Sequence, residues 1–171
     1  MTDESSVVGL ARASLQHFLE KGSVLPIPVT LPEELKGQKG AFVSLKKQGE
    51  LRGCIGTFRP TRSNIASEII YNAISAGTED PRFWPVELEE LPELTISVDI
   101  LEAPEQIDSV DKLDPQQYGV IVKQGRRSGL LLPMLEGVNT VAEQIGIARE
   151  KAGIRAEEEI ELYRFSVTRY T

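Results

Sequence analysis

The 171-residue chain has only one cysteine, Cys54, and only one histidine, His17. A lone thiol cannot close an internal disulfide, and one Cys with one His cannot build a cysteine-rich or histidine-rich metal cage. No metal is expected; a carboxylate-only Mg2+ or Ca2+ site is left open, and no motif signals one. Long apolar runs are also missing. None approaches the roughly 20 residues that span a bilayer, so no membrane segment is expected. The N-terminus lacks a basic segment followed by an apolar stretch, which argues against export and for the cytoplasm. Basic charge is scarce: 19 Lys and Arg against 26 Asp and Glu leave a net charge of -7. Such a chain repels phosphate backbones unless its cations cluster, and nucleic acid is not expected as a partner. The P-loop and dinucleotide fingerprints are absent, so no nucleotide cofactor is expected. A serine triad would need His17 as its base, and nothing ties that residue to a particular serine.

What the chain does contain is ordinary for a folded protein. Apolar residues make up 40% and charged residues 26%, a mixture too apolar for disorder. The length fits one domain over residues 1–171, with room for a smaller lobe inside it. Val7, Leu10, Ala11, Leu15 and Phe18 recur at helical spacing between a Ser5-Ser6 cap and Gly22, and His17 falls at the rim of that stripe. Residues 24–40 carry three prolines and two glycines and read as an extended connection. Alternation from Ala41 to Lys46, a Gln48-Gly49 break and alternation from Leu51 read as a hairpin. Ile65, Ala66, Ile69, Ile70 and Ala73 mark a second helix closed by Gly77. Leu94 to Ile100 forms a strand with one polar face. Residues 103–117 read as a connection with a helical turn near Val110 to Leu113. A second hairpin joins Val120–Val122 to Leu130–Leu132 through a tip that exposes Arg126 and Arg127. Thr140 and Glu143 cap a third helix ending at Gly153, and Ile160 to Tyr170 reads as one last strand. No internal repeat stands out. The class is α+β, a mostly antiparallel sheet flanked by about three main helices, in the order αββαβββαβ.

Leu51-Arg52-Gly53-Cys54-Ile55-Gly56-Thr57-Phe58 is the stretch with chemical character. Period-two alternation puts Arg52, Cys54, Gly56 and Phe58 on one side. Glycines weaken a strand, so two of them around a thiol point to a bulge or to close approach by a backbone or ligand. Arg52 shares the Cys54 face, and Arg59 and Arg62 follow just beyond, where with the next helix N-terminus they offer positive potential to an anion. Positive charge is what converts a thiol into a nucleophilic thiolate; a small buried apolar group is the other role open to Cys54. Asp80 and Arg82 lie in a turn rich in large aromatics. Asp80 either closes an Asx turn before Pro81, or orients a substrate or holds Arg52 by a charge-assisted bond.

Leu51 to Thr57 resembles the signature of the AMMECR domain family, whose bacterial and archaeal members are often called AmmeMemoRadiSam system protein A. Asp80-Pro81-Arg82-Phe83, Gly129-Leu130-Leu131-Leu132-Pro133 and Lys151-Ala152-Gly153-Ile154 resemble further family motifs in the same order. The resemblance implies an α+β fold with a smaller lobe, and it puts weight on Arg52, Gly53, Cys54, Gly56, Thr57, Asp80 and Arg82. It implies no particular reaction. Frequent gene association implies a pathway or complex with a Memo-like protein and a radical S-adenosylmethionine enzyme. Many members have histidine at the position of Tyr118 and glutamine at that of Met134, so roles of those groups in relatives do not carry over. Two readings follow. One is an enzyme acting on a small polar or anionic substrate, with Cys54 as nucleophile or acid/base and Arg52, Asp80 and Arg82 positioning it. The other is a non-catalytic ligand-binding or adaptor component.

Overall fold

Burial of the periodic apolar positions organises two units, residues 1–101 with 168–171 and residues 102–167; the structure, a computed structural model, describes residues 4–171. In the first unit, α1 (Ser6–Lys21) and α2 (Ile65–Thr78) lie on one face of a four-stranded sheet. Its strands are β1 (Gly40–Lys47), β2 (Glu50–Thr57), β3 (Leu94–Leu101) and β8 (Val167–Tyr170), in the spatial order β2-β1-β3-β8. Val7, Val8, Ala11 and Leu15 of α1 and Ile69, Ile70 and Ala73 of α2 bury against Val43, Leu45, Ile96 and Val98. Each large side chain so buried contributes about 1.5–3 kcal/mol. The caps are as expected at Ser5, whose Oγ accepts from the Val8 amide, and at Gly22, which is left-handed with φ 70°. His17 is half-buried near the end of α1, with Nε2 3.2 Å from Ser23 Oγ.

Gln48 and Gly49 both adopt positive φ, 53° and 81°, as the hairpin turn between β1 and β2 requires. The ladder then slips: Leu45 pairs with Gly53 but Lys46 with Leu51. The extra residue is Arg52, so the bulge sits beside Cys54. Gly77 does not close α2. The helix continues to Thr78, and Gly77 is needed because a Cβ there would stand 2.5 Å from Leu15 Cδ1.

The second unit has β5 (Gly119–Gln124) and β6 (Arg127–Leu131) as a hairpin, α3 (Val141–Ala152) behind it, and β7 (Glu161–Phe165) on the far side of β5. A short strand β4 (Glu105–Ile107) pairs with β7. Val120, Val122, Leu131, Ala148 and Ile154 form its core. Two elements differ from the sequence reading. The 103–117 connection contains β4, which is too short to show alternation. The single last strand is two, broken at Ser166, with β7 in one sheet and β8 in the other. The turn at Val110–Lys112 and the caps at Thr140 and Gly153 (φ 68°) are as expected.

A repeat invisible in the letters emerges from topology. Both units are a hairpin, a helix across it, and a third strand antiparallel to the hairpin's first. Lys-Gln-Gly recurs at 47–49 and at 123–125, but the two-residue turns are Gln48-Gly49 in the first hairpin and Gly125-Arg126 in the second. Each hairpin then places a glycine under the helix. A Cβ on Gly53 would lie 2.1 Å from the Ala76 carbonyl oxygen, and one on Gly129 2.0 Å from that of Ala148.

Candidate functional site

The face of the first sheet opposite the helices carries the polar members of its alternating strands. Gly53 and Thr57 turn towards α2, where Thr57 donates to buried Glu68. The alternation therefore sends Cys54 to the other face. Its cross-strand partner is Ser44, whose Oγ is 3.2 Å from Cys54 Sγ, and Ser44 in turn pairs with Ser97 on β3. One register step away, Asp99 is 4% exposed and held by Arg169, Nε to Oδ1 at 2.7 Å and a terminal nitrogen to Oδ2 at 2.6 Å. Gly56 leaves room for the Phe42 ring, which a Cβ would meet at 2.2 Å.

β2 is an edge strand, and the Cys54 amide points off that edge. Asp80 receives it, with Oδ2 accepting from Cys54 N at 3.0 Å. The same carboxylate takes the Arg82 amide at 3.1 Å, its Nε at 3.0 Å and a terminal nitrogen at 2.8 Å. Asp80 thus closes the Asx turn and also bolts the loop to the strand. The Arg82 hydrogen bonds, ahead of any other cause, hold its carboxyl far below the usual carboxylate range. Arg82 remains 56% exposed at its side chain.

Arg52 has a different partner from the Asp80 considered above. Its Nε and a terminal nitrogen each sit 3.1 Å from a Glu90 oxygen, and it also donates to the carbonyls of Trp84 at 2.8 Å and Pro85 at 3.3 Å. Lys47 joins the pair, Nζ to Glu90 Oε1 at 3.1 Å. The Arg52 bonds, above all, lower the Glu90 pKa from 4.5 to about 2. A carboxylate depressed in this way stabilises the fold fully above its unfolded pKa, and the contribution is lost as pH falls from about 4.5 to about 2. In urea titrations across that window, Glu90→Gln is expected to lose stability less steeply than the native chain. Equal slopes would disprove the coupling.

Burial is the main influence on Cys54 and pushes its pKa up. The Ser44 hydroxyl and the Arg82 charge pull it down, and Asp99 and Asp80 push it up, so the balance favours the neutral thiol. The structure brings together Cys54, Gly56, Asp80 and Arg82 from the sequence candidates, while Gly53 faces α2. Arg52 lies beside them but spends its charge on Glu90. Thr57 faces the helix side. Arg59 lies over the Phe58 ring and Arg62 over Tyr71 at 3.6 Å. In the second unit Arg127 braces the end of α3 through the Gly153 carbonyl and Glu158. Ser44, Asp99 and Arg169 went unnoticed in the sequence because only the strand register aligns them. Among the described residues no group of three His, Cys, Asp or Glu converges to hold a metal ion, and no helix is long and apolar enough to cross a membrane.

Fold and site together define an α+β protein whose edge strand displays a thiol beside a carboxylate-anchored arginine. The chain belongs to the AMMECR1 family, whose model matches residues 8–170. A protein of Thermotoga maritima is 49% identical over 173 residues, covering 99% of both chains. Protein CA_C1420 of Clostridium acetobutylicum is 52% identical over 170 residues, 98% of this chain. The chain spans only 36% of the length of that relative. The crystal structure of the uncharacterized protein PH0010 from Pyrococcus horikoshii superposes with a TM-score of 0.88 at 32% identity, covering 95% of this chain and 88% of that one.

Proposed function

We propose that the Cys54 face of the first sheet binds a small polar or anionic molecule, with the exposed part of the Arg82 guanidinium that Asp80 does not engage, the thiol and the Ser44 hydroxyl supplying polar contacts. The observation that carries this reading is the Asp80 anchor: a buried carboxylate fixes Arg82 next to Cys54 while leaving its side chain half exposed. Arg52 is then a positioning residue that holds the 84–90 loop against the strand. A ligand carrier of this kind would serve the Memo-like and radical S-adenosylmethionine partners that the family resemblance implies.

A second reading is an enzyme that uses Cys54 as nucleophile. The Ser44 hydrogen bond and the Arg82 charge favour it, because both stabilise a thiolate. The pH dependence of Cys54 alkylation by iodoacetamide separates the two. For a binding site the apparent pKa is expected above the ordinary thiol value of roughly 8.5, and Arg82→Ala should raise it further. An apparent pKa about one unit below that value would reject the binding reading in favour of the nucleophile.

A further inference from the structure

The loop bolted to β2 carries the chain's only tryptophan and presents it to solvent. Trp84 is 88% exposed, whereas rings of this size ordinarily bury most of their area. Slack chain is not the reason. Arg52 holds the Trp84 and Pro85 carbonyls, the Phe83 amide bonds to the Asp80 carbonyl at 3.1 Å, and the Val86 amide bonds to that of Gly77 at 2.7 Å. Val86 is buried, so the backbone on both flanks of the ring is fixed while the indole is left outside. Leu88, one short turn on, is 37% exposed.

The segment is acidic. Between Glu79 and Glu93 the one cation is Arg82, already paired with Asp80, and the cations that reach the segment from β1 and β2, Lys47 and Arg52, are paired with Glu90. Glu79, Glu87 and Glu89 are exposed, and among the described residues none of them has a cation at ion-pair distance. An apolar partner would strand those carboxylates at the rim of a dry contact, which is costly. A cation suits both features, since the indole face attracts it and the carboxylates draw it in from a distance.

We propose that the Trp84 loop is a docking surface for a basic segment of a partner protein, with a Lys or Arg side chain stacked on the indole and neighbouring cations facing Glu79, Glu87 and Glu89. The inference stands independently of any ligand at Cys54.

Trp84 reports directly, because no other tryptophan contributes to the emission. A nona-arginine peptide added to the full chain is expected to shift that emission to shorter wavelength, saturably, and to bind more weakly as salt rises. With a fluorescein-labelled peptide followed by anisotropy, Trp84→Ala and the double variant Glu87→Gln/Glu89→Gln are each expected to weaken binding about tenfold or more. Glu20→Gln, a single charge removed outside the loop, should leave it unchanged. Circular dichroism confirms that each variant is folded. Binding undiminished in Trp84→Ala would reduce the effect to general charge and overturn the proposal. So would an emission that never moves, or one that shifts with protein concentration alone, which would make a second copy the occupant.

Discussion

Gly53→Ala is expected to cost about 3 kcal/mol, because its methyl group, like one on Gly40, would meet backbone rather than a side chain. The new Cβ would lie 2.1 Å from the Ala76 carbonyl oxygen, which is backbone in the last full turn of α2 and cannot swing aside. Either α2 lifts from the sheet or β2 bends away, and both open the core formed by Leu45, Ile69 and Ala73. Two neighbours calibrate the result. Gly56→Ala meets the Phe42 ring at 2.2 Å and the Ala41 carbonyl oxygen at 2.6 Å, a longer backbone contact than the one at Gly53, and should cost less. Gly49→Ala meets nothing within 4 Å and carries only the strain of φ 81°, about 1 kcal/mol. Urea midpoints ranked in any other order would show that α2 packs less tightly on β2 than these distances imply.

Asp80→Ala is the second large expectation, a loss of about 2–3 kcal/mol. The substitution leaves the Cys54 amide without its acceptor on the strand edge and releases the Arg82 guanidinium, which its exposure allows water to solvate. The loop from Thr78 to Pro85 loses its main bolt, and Cys54 should be alkylated faster at fixed pH. Asp80→Asn keeps one acceptor for the Cys54 amide and should fall about midway. A chain that keeps its denaturation midpoint in Asp80→Ala would show that Asp80 holds nothing that Arg52 and Glu90 do not already hold.

The readable parts of this fold were the locally determined ones. Helices α1 and α3 announce themselves by apolar spacing between Ser5 or Thr140 and a left-handed glycine, and β3 by strict alternation. Local signals fail where a partner decides the outcome. Three residues at 105–107 become a strand only because β7 runs beside them, and the last strand divides at Ser166 because two sheets claim its halves. Gly77 has the look of a helix stop, but its purpose is contact with Leu15, which no spacing rule encodes. The site follows the same division. Arg52, Gly53, Cys54 and Gly56 stood out as a cluster, and Asp80 with Arg82 as a pair. Asp99 looked like one more solvated residue on a polar face, yet it is buried and matched with an arginine 70 positions on. Glu90 was hidden among the many glutamates around it.

The shared plan of the two units supplies an internal comparison. Where the first has Cys54 after its helix-facing glycine and across from Ser44, the second has Leu130 after Gly129 and across from Ile121. The chain therefore holds one framework in two versions, one pairing a thiol with a hydroxyl and one pairing two aliphatic side chains at the same place. The feature common to both, the glycine beneath the helix, is what the architecture demands. Features confined to the first version, the thiol, its serine and the Asp80 bolt, are not required by that shared framework.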